Sequence, residues 1–294
     1  MLLNASGCLD ALVAPDVARS LDAFVTKTVT PLPRDGNTPV RIAETDVGML
    51  NSIGLANPGI DRFLTRNLPR LEKLGVPIWV SVGGFSAAEY ADTCALLEDV
   101  TIELNLSCPN VDEAPESAAE IVAACRAATD LPLYAKLSPA SWDVAETARA
   151  VEDAGADGLS LVNTLRGLAL EVTALRPGLG SAVCGFSGAA LKPVALAAVW
   201  ACYRAVSLPI VGMGGVATGR DALDLIAAGA AHVALGTVLF ADPDTPARIR
   251  RELAAEGAAR GFADPSEARG IAHAEPRSLD ERSRVRAKKA LEFG

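Results

Sequence analysis

Short runs of apolar and β-branched residues recur along the chain, separated by longer stretches rich in Ala, Leu and Glu. Continuous apolar runs predict strands that are buried on both faces of a parallel sheet. Eight runs have this form: Leu2–Asn4, Ala23–Thr26, Ile78–Val82, Thr101–Leu104, Leu133–Leu137, Gly158–Val162, Ile210–Gly212 and Val233–Leu235. The stretches between them predict crossover helices, for example Ala87–Leu97, Ser117–Ala127, Val144–Ala154 and Arg220–Ala228.

Alternation of strand and helix signals is typical of α/β proteins. No G-x-G-x-x-G sequence follows the first predicted strand, which argues against a dinucleotide-binding doubly wound sheet. The chain has 294 residues, and a barrel of eight βα units needs about 250 residues before insertions. We therefore predict a (β/α)8 TIM barrel that forms one catalytic domain over residues 1–294.

Two predicted connections are much longer than an ordinary βα loop. They run from Thr28 to Pro58 and from Thr164 to Lys192, and each leaves the carboxyl end of a strand. Barrel enzymes carry their chemistry at that face, and long loops are commonly lids or binding loops. We expect two long active-site loops there, and a helix followed by a solvated end after Ala254.

The charge balance narrows the classes of partner. Lys and Arg total 27 against 36 Asp and Glu, a formal net charge of −9. This excess of acid argues against broad binding to nucleic acid or to anionic membranes. The longest uncharged apolar stretch, Leu225–Ala241, is interrupted by glycines and His232, so it does not predict a membrane span. We expect a cytoplasmic protein whose ligand is a small molecule.

The six cysteines are scattered and form no C-x-x-C pair: Cys8, Cys94, Cys108, Cys125, Cys184 and Cys202. With two histidines, His232 and His273, this composition predicts neither a structural metal site nor an iron–sulfur cluster within the chain. Most of the cysteines are expected to be small buried hydrophobes in a reducing compartment. We assign no role to either histidine.

The residues just past the eight predicted strands are the main functional signal. In chain order they are Ser6-Gly7, Lys27-Thr28, Gly83-Gly84, Asn105 with Cys108, Lys136, Asn163-Thr164, Gly214-Gly215 and Gly236-Thr237. In a barrel all of them converge on one face. Gly214-Gly215 and Gly236-Thr237 follow the seventh and eighth strands, where barrels commonly bind phosphate on peptide N–H groups. Tight turns are the alternative explanation of both pairs.

Two lysines and one cysteine within this set have more than one interpretation. Lys27 and Lys136 are either ordinary snorkelling side chains or cations that face a shared ligand. A Schiff-base aldolase using Lys136 is a competing hypothesis. Pro109 forces a turn after Cys108, so this thiol lies on a loop at the active face, where it can serve as a general base. The segment Asn51–Asn57 is either a simple turn or an anion-binding nest.

Nine segments together resemble the class 1 dihydroorotate dehydrogenases, most closely their NAD-linked heteromeric subtype, class 1B. They are 26–28, 41–45, 48–59, 103–111, 163–167, 185–188, 191–193, 212–216 and 235–237. The Asn-Leu-Ser-Cys-Pro-Asn element at 105–110 and the Asn-Ser-Ile-Gly-Leu loop at 51–55 are specific as a pair.

This resemblance implies an FMN-containing barrel that oxidises dihydroorotate to orotate, with Cys108 as the base. It implies substrate contacts from Lys27, Asn51, Ser52, Ile53, Gly54, Leu55, Asn105, Asn163 and Thr164. It implies cofactor contacts from Ser6, Lys27, Thr28, Asn105, Lys136, Val162, Gly188, Gly214, Gly215, Gly236 and Thr237. No metal is implied.

The resemblance also implies a homodimer and a second subunit that carries FAD and a 2Fe–2S cluster and passes electrons to NAD. Two departures from the family pattern concern the site: Ser81 stands where the family usually has Asn, and the loop Val111–Ser117 is short. A dihydropyrimidine dehydrogenase of the uracil type on the same scaffold is the leading alternative. A non-catalytic FMN-binding module is another.

Overall fold

The computed structural model describes residues 1–106, 117–141 and 143–274. Its strands are β1 Leu2–Asn4, β2 Phe24–Val25, β3 Ile42–Thr45, β4 Gly48–Asn51, β5 Ile78–Val82, β6 Thr101–Asn105, β7 Leu133–Leu137, β8 Gly158–Leu161, β9 Leu165–Gly167, β10 Cys184–Ser187, β11 Ile210–Met213 and β12 His232–Leu235. Its α-helices are α1 Pro15–Arg19, α2 Ile60–Arg62, α3 Leu68–Leu71, α4 Ala87–Cys94, α5 Ala118–Ala128, α6 Val144–Asp153, α7 Lys192–Ala205, α8 Gly219–Ala228, α9 Val238–Ala241 and α10 Thr245–Ala258. A π-helical segment, Phe63–Asn67, lies between α2 and α3, and short 3₁₀ segments cover Glu72–Leu74, Ala189–Leu191, Pro265–Ala268 and Ile271–His273.

Eight strands form a parallel barrel, which confirms the predicted fold class. Their order is β1-β12-β11-β8-β7-β6-β5-β2, and every pairing between neighbours is parallel. A parallel bridge between Leu3 and Ala23 joins the two ends of this order. The carboxyl ends of all eight strands therefore meet at one mouth.

The predicted strands all exist, with small differences at their ends. β2 covers Phe24–Val25, shorter than the predicted Ala23–Thr26, because Ala23 pairs through an isolated bridge and the Thr26 hydroxyl accepts a hydrogen bond from the Ser81 N–H. Helix α4 ends at Cys94 and not at Leu97, and helix α10 begins at Thr245, before the predicted start after Ala254.

Capping side chains define where several helices begin. The Ser86 hydroxyl accepts from the Glu89 N–H at the start of α4, and the Asp143 carboxylate accepts from two N–H groups at the start of α6. Thr218 and Asp221 form a reciprocal capping box at α8. These contacts satisfy N–H groups that have no partner inside the helix.

Alternating strand residues build two apolar layers. One set points outward and packs under the helices, including Leu104, Leu159 and Ile210, none of which has exposed surface. The other set fills the lower barrel interior, where the rings of Trp79 and Tyr134 lie 4.4 Å apart. The upper interior holds polar side chains, which are described with the site.

The two long connections lie at the carboxyl ends of the barrel strands, as predicted, and they also contribute the strands of a second sheet. β3 and β4 lie in the first connection and β9 and β10 in the second, and they pair in the order β3-β4-β10-β9 with antiparallel register. Ser187 pairs with Met49 across this sheet, and a Cβ at the adjacent Gly48 would overlap the Ser187 carbonyl. Pairing between the two distant segments therefore fixes both above the mouth of the barrel.

Across residues 1–106, 117–141 and 143–274, no helix combines the length and the apolar character that crossing a membrane requires.

The buried leucines predict a strong packing effect. Leu159 has no exposed surface, whereas Leu96 is 51% exposed. Leu159→Ala should lower the free energy of unfolding by about 2–5 kcal/mol, because the outer core cannot fully close around the lost volume. Leu96→Ala, the matched control, should change it by less than about 0.5 kcal/mol. Urea denaturation compares the two, and equal losses would contradict the assignment of Leu159 to the core.

Candidate active site

A cavity of about 770 Å³ opens at the carboxyl ends of the barrel strands, beneath the second sheet. It lies within the range of small-molecule and cofactor sites, about 300–1,000 Å³. Of the described residues predicted for the site, all but Ser52 line it: Ser6, Lys27, Thr28, Asn51, Ile53, Gly54, Leu55, Asn105, Lys136, Val162, Asn163, Thr164, Gly188, Gly214, Gly215, Gly236 and Thr237.

Among the described residues, Ser52 is the one predicted site residue that is not on this wall. Ser52 is fully buried behind it, and its hydroxyl accepts a hydrogen bond from the Asn37 side-chain amide at 2.9 Å. Ser52 thus supports the loop that carries Asn51 and Ile53. Cys108 lies outside the described residues, and its role stays a prediction. Asn105, three positions before it, does line the cavity.

Thr28 is the centre of a buried network of hydroxyls and amides. Its Oγ1 lies 3.3 Å from the Ser6 hydroxyl and 3.0 Å from the Ser81 hydroxyl, and accepts from the Asn105 Nδ2 at 3.2 Å. Thr28 itself is 1% exposed. Because buried polar groups are costly without partners, this network holds the Asn105 side chain in one orientation.

The two predicted amides lie side by side. The Asn163 Nδ2 donates to the Asn105 Oδ1 at 3.0 Å, and the Asn163 Oδ1 accepts from the Thr164 N–H at 2.9 Å. The Tyr90 hydroxyl donates to the Asn105 carbonyl at 2.6 Å. Both amides are therefore fixed at the cavity wall, where they form a rigid polar edge for a ring with amide groups.

Both predicted lysines face the cavity, in different surroundings. Lys136 is 5% exposed, and its Nζ lies 3.5 Å from the Oε1 of Glu103, which is 1% exposed. A lysine held in a buried ion pair is poorly placed to act as a Schiff-base nucleophile, which disfavours the aldolase hypothesis. The stem of Lys27 packs over Gly7, where a Cβ would come within 3.0 Å of the Lys27 Cδ.

The thiol of Cys8 lies at this cavity. Burial raises the pKa of Cys8, and the positive charges of Lys136 and Lys27 only partly oppose that effect. Cys8 therefore stays a neutral thiol at physiological pH and offers no ready base.

Glycines form the opposite end of the cavity. Gly188, Gly214 and Gly215 have φ of 115°, 118° and 73°, a region that other residues rarely adopt. A Cβ on Gly215 would come within 2.5 Å of the Lys192 peptide nitrogen. Within the described part of the chain, the N–H groups of Gly215, Gly236 and Thr237 donate to no protein acceptor. This cradle suits a phosphate group bound by peptide N–H groups.

Sequence analysis missed several wall residues. The β3–β4 hairpin contributes Glu44 to Met49, β10 contributes Ser187, and β11 contributes Met213. The Ser187 hydroxyl accepts from the Thr237 hydroxyl at 2.8 Å. Glu103 was also missed as a functional candidate, although a single carboxylate inside an otherwise apolar strand was a usable signal.

Comparison with known proteins agrees with this geometry. A family model described as dihydroorotate dehydrogenase matches residues 1–256. The chain belongs to the dihydroorotate dehydrogenase family. Enzymes of this family are flavin-dependent oxidoreductases.

Curated relatives are similar over most of their length. Two relatives are named dihydroorotate dehydrogenase B (NAD(+)), catalytic subunit. The protein from Desulforudis audaxviator is 44% identical over 86% of this chain and 86% of its own length. The protein from Desulforamulus reducens is 43% identical over 86% of this chain and 87% of its own length. A protein of the same name from Geobacillus kaustophilus is 41% identical, with 82% of each chain covered. The word subunit in these names implies that those relatives have a partner chain.

The glycine cradle allows a matched test. Gly215→Ala should destabilise the protein more than Gly75→Ala, because Gly215 combines a φ of 73° with a close backbone neighbour. Gly75 has nearly the same φ, 74°, with nothing within 4 Å of an added Cβ, so it should lose only about 1 kcal/mol. Thermal unfolding of both variants measures the difference. Indistinguishable losses would mean that the Gly215 loop relaxes freely.

Proposed function

We propose that this chain is the catalytic subunit of an FMN-dependent dihydroorotate dehydrogenase, which oxidises dihydroorotate to orotate in pyrimidine biosynthesis. The observation that supports it best is one cavity that holds two lysines, two mutually bonded amides and a glycine cradle. Both ligands of this reaction are anionic, and both need an edge that recognises ring amides. Family membership supports the same activity.

The residues around the cavity suit FMN. The phosphate would lie on the N–H groups of Gly188, Gly214, Gly215, Gly236 and Thr237, and the ring would contact Ser6, Thr28, Asn105, Lys136 and Val162. When bound, FMN supplies the acceptor for the hydride that leaves C6 of the substrate. Lys136 contributes a fixed positive charge that favours the reduced ring.

Ser81 replaces the usual family Asn, and its surroundings indicate how the site adapts. Its hydroxyl is buried and bonds Thr28, and Ser81 does not line the cavity. In our proposal Ser81 therefore makes no direct contact with the ring. It supports Thr28, which accepts a hydrogen bond from Asn105, and Thr28 and Asn105 contact the ring.

Substrate would lie between Lys27, the loop 51–55 and the amide pair. The Lys27 ammonium pairs with the carboxylate of dihydroorotate, and Asn105 and Asn163 pair with the ring amides. Asn51, Ile53, Gly54 and Leu55 line the wall, with Ser52 behind them. A lysine at this wall favours a carboxylate-bearing ring over dihydrouracil, which has no carboxylate to pair with it.

Cys108 is the proposed base. Its thiolate removes one proton from C5 as the C6 hydride leaves, and the electron pair of the broken C5–H bond forms the C5=C6 double bond. Asn105 fixes the end of the strand that precedes this loop, because its side chain and its carbonyl are both hydrogen-bonded.

Electrons must then leave the chain. The names of the relatives support a heteromeric enzyme that uses NAD. From the family resemblance, the second subunit in this proposal carries FAD and a 2Fe–2S cluster and passes electrons to NAD. The family resemblance also implies that the catalytic subunit forms a homodimer. Both assemblies are part of this proposal.

Anaerobic reduction of the bound flavin tests the reaction and its base. The wild-type protein should purify yellow and bleach when dihydroorotate is added, whereas dihydrouracil should have little effect. Cys108→Ala should keep FMN and orotate binding but slow flavin reduction by at least about a hundredfold, because the proton has no acceptor. Stopped-flow absorbance measures the rate, and full-speed reduction in this variant would remove Cys108 from the mechanism.

The electron acceptor is tested separately by steady-state kinetics. The isolated chain should oxidise dihydroorotate slowly or not at all with NAD, and turnover should appear when the partner subunit is co-expressed and co-purified. An artificial dye acceptor serves as the control that the catalytic site is intact. Rapid turnover by the isolated chain with fumarate would instead indicate the other class 1 subtype.

A further inference from the structure

Glu103 is a buried acid that the proposed mechanism does not yet use. It lies on β6, two residues before Asn105, with 1% of its surface exposed. Successive residues of a strand alternate between faces, so Glu103 and Asn105 both point into the barrel. Asn105 lines the cavity and Glu103 does not, which places the carboxylate one step deeper than the cavity wall.

This carboxylate pairs with Lys136 of the neighbouring strand, at 3.5 Å. In the described part of the chain, each group is the other's only ion-pair or hydrogen-bond partner. Ser160, which is opposite Lys136 on β8, is buried, and its hydroxyl has no hydrogen-bond partner in that part of the chain. The position of the Lys136 ammonium therefore depends on Glu103.

The other ionisable groups around Lys136 do not compensate its charge. Cys8, after β1, is a neutral thiol that lies within electrostatic reach of Lys136, Lys27 and Glu103. Lys27, after β2, adds a second positive charge, and Tyr134, two residues before Lys136 on its own strand, has a pKa that burial raises further. Among these groups Glu103 is the single carboxylate. Without it, the buried Lys136 ammonium would have no partner of opposite charge among these groups.

We propose that Glu103 is a positioning residue for the flavin: through its ion pair it holds the Lys136 ammonium at the cavity wall. The inference rests on the proposed function, since it requires a flavin at that wall. A fixed ammonium stabilises the negative charge that the ring gains on reduction, so it raises the midpoint potential and strengthens FMN binding.

If Glu103 merely offset the charge of Lys136, its removal would shift the midpoint potential of the flavin in the opposite direction. If the Lys136 ammonium stayed in place without Glu103, removal of the carboxylate would leave more positive charge near the ring and raise the midpoint potential. If Glu103 holds the ammonium in place, the same removal lowers the potential. One measurement on an isosteric variant therefore separates the two roles.

The experiment compares Glu103→Gln, Lys136→Gln and the double variant, each loaded with FMN. We expect Glu103→Gln to lower the midpoint potential in the same direction as Lys136→Gln and to weaken FMN binding about tenfold. The double variant should shift the potential little more than Lys136→Gln alone, because each single change already takes the Lys136 ammonium away from the cavity wall. Spectroelectrochemistry gives the potential, and fluorescence titration of the stripped protein with FMN gives the affinity.

Two further variants guard against a folding artefact. Glu103→Asp keeps the charge on a shorter stem and should shift the potential less, with the same sign, so it still tests the inference if Glu103→Gln does not fold. Asp157→Asn is the matched control. Asp157 accepts hydrogen bonds from Arg126 and from the Leu133 N–H, and it precedes β8 at the end of the barrel away from the cavity. This change should reduce stability and leave the potential unaltered.

A raised or unchanged potential in Glu103→Gln, or effects that add fully in the double variant, would overturn the inference. Failure of the proposed function has a different signature. In that case the wild-type protein would bind no FMN, or Lys136→Gln would not alter the potential of the bound flavin.

Discussion

The structure depends on closure of a ring of parallel strands. Eight short strands pair in register, and the Leu3–Ala23 bridge completes the circle between β1 and β2. Each strand is too short to provide a site by itself, but closure brings eight carboxyl ends to one mouth. Residues as far apart in sequence as Ser6 and Thr237 thereby share one cavity wall.

Closure of the barrel also creates an interior that must be filled without leaving buried polar groups that lack hydrogen-bond partners. The lower interior is packed with Trp79, Tyr134 and aliphatic side chains, whereas the upper interior holds Thr28, Ser81, Glu103 and Lys136. These four polar side chains have at most 5% of their surface exposed, so partners within the protein set their geometry. The same hydrogen bonds that satisfy Thr28 also hold Asn105, and in this way the needs of folding pre-organise the site.

Fold class and most of the cavity wall were predictable from local patterns. Continuous apolar runs identified all eight barrel strands, and the residues just past them supplied Lys27, Lys136, Asn105 and the glycine pairs. The second sheet was not predictable in this way, because β4 and β10 pair across 134 positions between Asn51 and Gly185. The position of Ser52 behind the wall was not predictable for a related reason: only the folded loop shows that its hydroxyl accepts a hydrogen bond from Asn37. Glu103 lies within a predicted strand, but its partner is on another strand, so its pairing was visible only after folding.

Positively charged side chains and peptide N–H groups lie at different positions around the cavity. The chain is acidic overall, with a net charge of −9, yet its cavity suits two anions. Near the glycine cradle, the Lys192 ammonium is already paired with Asp221 at 2.5 Å and with Asp224 at 2.8 Å. In our proposal the phosphate therefore binds to peptide N–H groups. Lys27 also lies on the cavity wall, and in our proposal it pairs with the substrate carboxylate. Lys136 forms an ion pair with Glu103. In our proposal this lysine lies beside the flavin ring. In our proposal, the phosphate, the ring and the carboxylate therefore bind to distinct donors of the cavity wall.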